Sequence, residues 1–318
     1  MNPGPQPGAD VSTYLPSIVA LALAEDVGPG DATTPWVIGA DARAAGRIEA
    51  RAGGVLSGLD AARETARAVD PQVSFEALRQ DGDRVEPGET IALLEGSARS
   101  LLVMERVMLN FLQRLSGVAT LTSRYVQAVE GTGVAIADTR KTTPGLRFLE
   151  KAAVRHGGGE NHRFGLYDAC MIKDNHVAAA GGITPAVERV RRGFYEKGRN
   201  LRLTVEAKTI AEAEEAARLG VDQILLDNME PDGIAAAVAA VRRVEDGMAD
   251  WARRTGAELL PHRARIEVSG GVTLATVRAR ALPGVDLISV GALTHSAPAL
   301  DLALELEPAT DGEAGAQP

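Results

Sequence analysis

The sequence predicts an α/β protein in which a small region of hairpins precedes a domain built on a parallel sheet. Two changes of pattern along its 318 residues lead to this prediction. Short alternating segments separated by glycine occupy residues 43–95, whereas from about residue 134 short apolar runs alternate with amphipathic or alanine-rich helical segments. Buried strands that alternate with helices form parallel sheets. An incomplete or full βα barrel is the leading architecture, and a doubly wound open sheet is the second.

The hairpin region contains three β-rich stretches bounded by glycine, at residues 46–50, 73–76 and 82–94. The stretch Asp81–Gly96 also resembles part of a biotinyl or lipoyl carrier domain. A carrier or binding module is therefore an alternative from a different functional class, although this stretch contains no lysine to bear a cofactor.

Residues 97–116 form a mostly apolar helix in the prediction, on which Arg106, Asn110 and Gln113 share one face. A mostly apolar helix is buried, and a charged residue within it needs a partner. Two readings of Arg106 remain open: it pairs with Glu105 or another carboxylate, or it serves an anionic ligand.

Six apolar runs indicate the strands of the parallel sheet, and a seventh or eighth strand can lie within residues 145–165. The runs are Val134–Ala137, Ala169–Ile172, Leu203–Val205, Ile224–Leu226, Ile266–Val268 and Leu287–Val290. One intervening helix has a capping box, with Thr209 as N-cap and Glu212 three residues later.

Polar or glycine residues follow each of these runs. They are Arg140 and Lys141, Lys173 and Asp174, Glu206, Asp227 and Asn228, Ser269 to Gly271, and Gly291. In a βα barrel the carboxyl ends of all strands open onto one face, where active sites lie. We therefore expect these residues to line one site.

The residue types at these positions indicate a site for charged ligands. Arg140, Lys141, Arg163 and Lys173 can bind carboxylates or phosphates, with His162 beside them. Glu206 and Asp227 are oxygen ligands suited to Mg²⁺ that carries a diphosphate.

Two glycine-containing loops complete the expected site. The run Ser269, Gly270 and Gly271 comes directly before Thr273 and a predicted helix, so its backbone N–H groups can bind phosphate at a helix N-terminus. Val290, Gly291 and Ala292 offer a second such loop.

The charge distribution agrees with a site for small anions. The net charge of −9 makes a nucleic-acid surface unlikely to be the function, whereas residues 138–176 carry seven Lys/Arg and five Asp/Glu, a balance of +2. A solvated face with scattered charges is the alternative. The Gly157–Gly159 run is either a mobile lid or a linker.

Composition also bounds the location. No apolar run approaches the ~20 residues of a membrane span, the first ten residues do not resemble a signal peptide, and Cys170 is the single cysteine, which is consistent with the cytoplasm. Residues 1–10 and 308–318 are predicted to be disordered tails.

Seven segments of the chain together resemble the quinolinate phosphoribosyltransferases, which are type II phosphoribosyltransferases. The segments are Leu23–Thr34, Asp138–Arg147, Gly157–Arg163, Ile172–His176, Val205–Glu206, Leu226–Asn228 and Ser269–Val272. The resemblance covers about residues 15–305.

The resemblance implies a specific fold and assembly. It implies an N-terminal α/β sandwich domain at residues 11–116, joined by the C-terminal segment 293–307, and a seven-stranded, incomplete α/β barrel at 117–292. The last helix of the chain would return toward the N-terminal domain. The protein would form a homodimer or a dimer-built hexamer, and Arg106 would enter the partner subunit's site.

The resemblance also implies the reaction and the roles of the site residues. Phosphoribosyl pyrophosphate (PRPP) and quinolinate would give nicotinate mononucleotide, CO₂ and pyrophosphate, with Mg²⁺ and without an organic cofactor. Arg140, His162, Arg163, Lys173 and Arg106 would bind quinolinate; Lys141, Glu206 and Asp227 would bind PRPP and Mg²⁺; Ser269 to Gly271 and Val290 to Ala292 would bind phosphate; and Thr139 would also bind substrate. Lys141, Lys173, Glu206 and Asp227 would be the catalytic residues.

Two other enzyme activities remain open at this stage. A nicotinate phosphoribosyltransferase shares the architecture but binds a single carboxylate, and the molybdenum-transport-associated relatives of the family act on a less certain substrate. The surplus of cationic residues favours quinolinate.

Overall fold

A computed structural model describes residues 11–257 and 263–308. The predicted disorder of residues 1–10 and 309–318 lies outside the described residues. Pro308, which the prediction assigned to the C-terminal tail, instead ends a β-strand.

Helices and strands alternate along most of the described chain. In order they are α1 (Val11–Val27), α2 (Thr34–Val37), β1 (Arg43–Ala50), β2 (Gly54–Val55), α3 (Leu59–Val69), β3 (Ser74–Ala77), β4 (Arg84–Val85), β5 (Thr90–Ser97), α4 (Ala98–Ala128), β6 (Ala135–Ala137), α5 (Arg147–His156), β7 (Cys170–Ile172), α6 (Asp174–Ala180), α7 (Ile183–Lys197), β8 (Leu203–Ala207), α8 (Ile210–Arg218), β9 (Gln223–Asp227), α9 (Pro231–Thr255), β10 (Arg265–Ser269), α10 (Val277–Arg280), β11 (Leu287–Ser289), α11 (Ala292–His295) and β12 (Leu302–Pro308).

The chain divides into two compact units. We call residues 124–141 and 159–293 the parallel-sheet unit, and residues 11–123, 142–158 and 294–308 the antiparallel-sheet unit. Residues 117–123 and 142–158, which the sequence analysis placed in the barrel domain, thus fall in the antiparallel-sheet unit. The predicted domain bounds themselves stay a prediction.

The antiparallel-sheet unit contains a four-stranded sheet in the order β12-β1-β5-β3. β1 alternates between exposed and buried residues, so that its small and apolar side chains, such as Ile48, face the core. β12 pairs antiparallel with β1 from Ala44↔Pro308 to Ala50↔Leu302. The expected return of the chain as a helix is therefore wrong. The segment returns as a strand because β1 has an edge that only a strand can pair with.

The long helix α4 extends well beyond its prediction. The sequence analysis placed it at 97–116, whereas it runs over 31 residues to Ala128. Ser116, the last residue of the predicted helix, is fully buried within α4, and its hydroxyl donates to the carbonyl of Ser57. Tertiary packing here overrides the weak helix propensity of Ser116 and of Gly117 after it.

The parallel-sheet unit contains six strands in the order β6-β11-β10-β9-β8-β7, and every pair in this sheet is parallel. All six predicted runs are strands. From β7 to β11 the chain moves each time to the neighbouring strand, and β11 then pairs with the first strand, β6. This order contains no reversal of the kind that defines a doubly wound sheet, so the incomplete α/β barrel is confirmed.

The seventh predicted strand is reduced to a bridge. Ala137 and Glu160 form an isolated parallel bridge, in which Glu160 N donates to Ile136 O at 2.7 Å and Asp138 N donates to Glu160 O at 3.2 Å. This contact extends the β6 edge of the sheet by one residue pair. No helix in the described ranges is long and apolar enough to cross a membrane.

Candidate active site

The carboxyl ends of the six parallel strands share one edge of the sheet, and the predicted strand-end residues lie along it. Glu206 is the fourth residue of β8, whereas Asp227 and Ser269 end β9 and β10 and lie opposite each other in register. Lys173 follows β7 directly, and Gly291 follows β11 after one residue. The fold therefore brings these predicted residues to one edge.

Two lysines and three carboxylates form an ionic cluster at this edge. Lys173 Nζ lies 3.4 Å from Glu206 Oε2, and Lys208 Nζ donates to Asp174 Oδ2 at 2.7 Å. The hydrogen bond to Asp174 raises the pKa of Lys208; burial opposes this, and attraction to Asp174, Glu206 and Asp227 adds to it. The sequence analysis missed Lys208, although it follows β8 directly as Lys173 follows β7.

Arg140 and Arg163 place two positive charges near each other. Arg163 is only 8% exposed, and one of its terminal nitrogens donates to the Ala169 carbonyl at 3.3 Å. Burial lowers the pKa of Arg163 first, repulsion by Arg140 lowers it further, and attraction to Asp168 and Cys170 offsets this only in part. Like charges at a buried position are stabilised by an anion between them.

His162 is hydrogen-bonded through both ring nitrogens. Its Nδ1 accepts from the backbone N–H of Arg163 at 2.7 Å, and its Nε2 lies 3.1 Å from Glu267 Oε2. The ring is buried, at 9% exposure of the residue. A direct bond from His162 to a substrate would have to replace one of these two bonds, so its predicted contact with quinolinate stays a prediction.

Asp138 connects the loop after β6 to the segment around Glu160. It is fully buried and accepts from the backbone N–H of His162 at 2.9 Å and from the Asn161 amide at 2.6 Å. In the next residue, Thr139, Oγ1 accepts from Lys141 N at 3.0 Å, which shapes the turn that carries Arg140. The hydrogen bonds of the buried Asp138 therefore fix the start of the loop that carries Arg140 and Lys141.

The Ser269–Gly271 loop has the tight geometry expected of a phosphate loop, but not the helix expected after it. Gly270 and Gly271 have φ of 95° and 59°, and a Cβ on Gly270 would lie 2.2 Å from Asn228 Oδ1. α10 begins only at Val277 and has four residues. The predicted helix N-terminus at Thr273 is therefore wrong, because Thr273 instead forms a turn in which its N–H donates to Thr276 Oγ1.

Arg106 lies on α4 in the antiparallel-sheet unit and is exposed, whereas its neighbours Val107, Met108 and Leu109 are buried. Among residues 14–257 and 263–307 it has no hydrogen bond or ion pair, so the pairing with Glu105 is not formed. The helix is apolar on its buried faces only, which corrects the expectation that Arg106 faces away from water.

No cluster of three or more His, Cys, Asp or Glu side chains that could hold a metal ion occurs in the part of the chain that the structure describes. Glu206 and Asp227 nevertheless lie on adjacent strands and present carboxylates at the same edge. Mg²⁺ commonly binds proteins through one or two carboxylates and takes its other ligands from water and substrate phosphates. These two residues fit that kind of partial site.

Comparison with known proteins identifies the family. The profile of the quinolinate phosphoribosyl transferase C-terminal domain matches residues 118–305, and that of the N-terminal domain matches residues 31–116. The resemblance of residues 81–96 to a carrier domain is thus a local likeness within this N-terminal domain, and the carrier alternative is wrong.

Individual relatives agree. The chain is 41% identical to a probable nicotinate-nucleotide pyrophosphorylase (carboxylating) of Bacillus subtilis, over 89% of this chain and 90% of the relative. It is 39% identical to the chloroplastic nicotinate-nucleotide pyrophosphorylase (carboxylating) of Arabidopsis thaliana, over 96% and 86% of the two chains. The solved structure of the Francisella tularensis nicotinate-nucleotide pyrophosphorylase superposes with a TM-score of 0.84 at 34% identity, covering 96% of this chain and all of that one (100%). The chain belongs to the quinolinate phosphoribosyltransferase family of enzymes.

Proposed function

We propose that this protein transfers the phosphoribosyl group of PRPP to quinolinate and removes one carboxylate, giving nicotinate mononucleotide, CO₂ and pyrophosphate in the synthesis of NAD. The observation that carries the proposal is the proximity of Arg140 to the buried Arg163. Two neighbouring cations in a poorly solvated place suit a ligand with two negative charges, and quinolinate is a dianion.

Arg140, Arg163 and Lys173 are the proposed ligands of the two quinolinate carboxylates, with Thr139 beside them. Guanidinium groups bind carboxylates through paired hydrogen bonds, which orients the pyridine ring as well as holding it. Lys173 is already held 3.4 Å from Glu206, so its ammonium group is positioned before the substrate arrives.

PRPP is proposed to bind along the other strands of the same edge. Lys141 contacts its phosphates, and the backbone N–H groups of the two glycine-containing loops, Ser269 to Gly271 and Val290 to Ala292, bind its 5′-phosphate. Glu206 and Asp227 hold Mg²⁺, which when bound would neutralise the charge of the leaving pyrophosphate.

The reaction follows from this placement. The pyridine nitrogen forms a bond to the ribose anomeric carbon while the bond from that carbon to pyrophosphate breaks, so positioning and electrostatics supply most of the catalysis. The ring nitrogen becomes cationic. It then accepts electron density as the bond from the ring to the adjacent carboxylate breaks, CO₂ leaves, and the ring carbon takes a proton.

A homodimer, alone or within a hexamer, is part of the proposal. Arg106 is exposed on a helix whose buried faces are apolar, and we propose that it enters the substrate site of the partner subunit. A cytoplasmic location also remains a proposal.

The test measures two products at once. Quinolinate labelled in its 2-carboxylate is incubated with PRPP and Mg²⁺, and labelled CO₂ is compared with pyrophosphate. We expect one CO₂ for each pyrophosphate and little turnover of nicotinate, since a site built for a second carboxylate can reject an analogue without it by as much as ~10⁴-fold. Pyrophosphate release without CO₂, or comparable turnover of nicotinate, would instead indicate a nicotinate phosphoribosyltransferase.

A further inference from the structure

Glu267 is a fully buried carboxylate in the middle of β10. Its Oε2 lies 3.1 Å from His162 Nε2 and accepts a hydrogen bond from the side-chain amide of Gln223 on β9, the neighbouring strand. Ser289, on the other neighbouring strand β11, also hydrogen-bonds to it. A buried carboxylate is unfavourable unless several donors compensate it. Two of the three donors here, Gln223 and Ser289, belong to the neighbouring strands, and the third is His162.

The hydrogen bonds of His162 determine where its ring proton lies. Nδ1 accepts the backbone N–H of Arg163 at 2.7 Å and must therefore present a lone pair. The single proton of the neutral ring is then on Nε2, where it points at the Glu267 carboxylate, an acceptor that has no proton to offer. A proton on Nδ1 would face the N–H of Arg163 and break that bond.

The same arrangement connects the buried carboxylate to the substrate site. The backbone of Arg163 is held by His162, whose own backbone N–H is held by Asp138. The Arg163 side chain extends from this point toward Arg140 and the Ala169 carbonyl. A change in the ring proton of His162 would release the backbone that orients the guanidinium group.

We propose that Glu267 is a positioning residue for substrate binding: it selects the Nε2–H form of His162, which in turn orients Arg163 toward the dianionic substrate. This inference rests on the proposed function, in which Arg163 binds quinolinate. Glu267 would then contribute to substrate specificity as well as to the packing of the sheet, because its charged carboxylate can accept a hydrogen bond from His162 but cannot donate one.

The first measurement reads the ring proton directly. Long-range ¹H–¹⁵N spectra of histidine side chains distinguish the two neutral forms and the imidazolium, and with only five histidines in the chain the His162 signal can be assigned from a His162→Gln spectrum. At pH 7.5 the wild-type protein should show His162 with its proton on Nε2. In Glu267→Gln, where the new amide can donate to Nε2, the form with the proton on Nδ1 should become populated.

The second measurement is binding of quinolinate without PRPP, by calorimetry. Glu267→Gln should weaken it about tenfold or more, because a misdirected Arg163 leaves a substrate carboxylate poorly paired. Binding of Mg²⁺–PRPP should change less than about twofold, because the strand ends proposed to bind it do not depend on His162.

Glu245→Gln is the matched control. Glu245 is also a buried carboxylate, and it accepts from Ala264 N and Arg242, each at 2.8 Å, without contact to His162. Its substitution should lower the melting temperature to a similar extent and leave quinolinate affinity within about twofold.

Two results would overturn the proposal: a wild-type spectrum with the His162 proton on Nδ1 or with an imidazolium, or a Glu267→Gln protein that keeps its quinolinate affinity. If Glu267→Gln does not fold, Gln223→Met removes only one donor to Glu267 and should weaken quinolinate binding about threefold; unchanged affinity would count against the proposal. A wild-type protein that does not turn over quinolinate would disprove the proposed function, whereas the His162 spectrum would still report on the tautomer.

Discussion

On the antiparallel sheet, arginines pair with carboxylates of the same or neighbouring strands, whereas in the parallel-sheet unit Arg140 lies close enough to the buried Arg163 to repel it. Arg43 pairs with Glu95 at 3.2 Å, and Arg47 pairs with both Glu49 and Glu307. These contacts raise the pKa of Arg47, chiefly through the hydrogen bond to Glu49. The pKa of Arg163 is lowered instead, by burial and then by Arg140.

We interpret this difference as one between charges that serve the fold and charges that we propose to serve a ligand. Surface charges that neutralise one another need no ligand to balance them. Such ion pairs add little to the free energy of unfolding because water screens them. Arg140 repels the buried guanidinium group of Arg163, and a bound anion would relieve this repulsion. Five predictions follow from this comparison: three change arginines of the two units, and two change carboxylates of the parallel-sheet unit.

The largest effect is expected at the parallel-sheet edge. Arg163→Ala should lower kcat/KM for quinolinate by about 10²- to 10³-fold, because truncating one member of a buried charged contact is costly. The loss with nicotinate should be much smaller, since that substrate lacks the second carboxylate. Steady-state rates with both acids provide the measurement, and equal losses would show that Arg163 supports the fold and not the distinction between substrates.

A second, smaller effect should distinguish the carboxylates of the parallel-sheet edge from its cations: their loss should lower kcat but leave quinolinate binding nearly unchanged. Glu206→Gln and Asp227→Asn remove charge without changing shape, and each should lower kcat with Mg²⁺–PRPP on the order of a hundredfold. Quinolinate binding, measured by calorimetry in the absence of PRPP, should stay nearly unchanged. A large loss of quinolinate affinity in either variant would contradict their assignment to PRPP and Mg²⁺.

Unlike the paired arginines of the antiparallel sheet, Arg106 has neither a hydrogen bond nor an ion pair among residues 14–257 and 263–307. If it serves the partner subunit, mixing inactive Arg106→Ala and Lys173→Ala chains should restore about a quarter of wild-type activity, because about half of the dimers then contain one chain of each kind and every such dimer has one intact site of two. Subunit exchange is checked by native mass spectrometry. Exchange without recovery would rule out a shared site.

The buried carboxylate of Glu267 should make stability depend on acid. Burial raises its pKa, but the hydrogen bond from His162, electrostatic attraction to His162 and the hydrogen bonds from Ser289 and Gln223 outweigh this, so the pKa lies below its ordinary value of 4.5. A carboxyl group with a lowered folded-state pKa stabilises the protein above its unfolded-state pKa, and this contribution is lost as the pH falls through the folded-state pKa.

Glu267→Gln should therefore lower the free energy of unfolding by about 1–3 kcal/mol at pH 7, and the difference from wild type should shrink as the pH falls below 4.5. Urea unfolding at a series of pH values measures it. A difference that is constant with pH would contradict the lowered pKa.

The smallest effect is expected on the antiparallel sheet. Arg47→Ala breaks a contact to the exposed Glu307 and one to Glu49, and the Arg47 side chain itself is 40% exposed in both. It should shift the melting temperature by no more than about 2 °C and leave kcat/KM unchanged. A large loss of activity would remove the distinction between the two groups of arginines.

The sequence by itself determined the strands of the parallel sheet, the capping box of α8 and the edge at which the candidate site lies. Buried parallel strands are short continuous apolar runs, so the predicted Ile224–Leu226 differs from β9 by one residue at each end. Thr209 and Glu212 form the predicted cap because that motif depends only on neighbours in the chain. Polar residues directly after such runs reach one edge whenever the strands are parallel.

Only the tertiary structure decided which distant residues meet. β12 pairs with β1 across more than 250 residues, and nothing in the local pattern of residues 302–308 selects that strand as its partner. Gly157, predicted to belong to a lid or a linker, is buried against α4, where a Cβ would lie 2.3 Å from the Ala119 carbonyl. The role of Glu267 could not be predicted from the sequence. A glutamate within an apolar run indicates no particular partner, and its partner His162 is 105 residues away. Local patterns follow from the periodicity of single elements, whereas these contacts follow from how the elements pack.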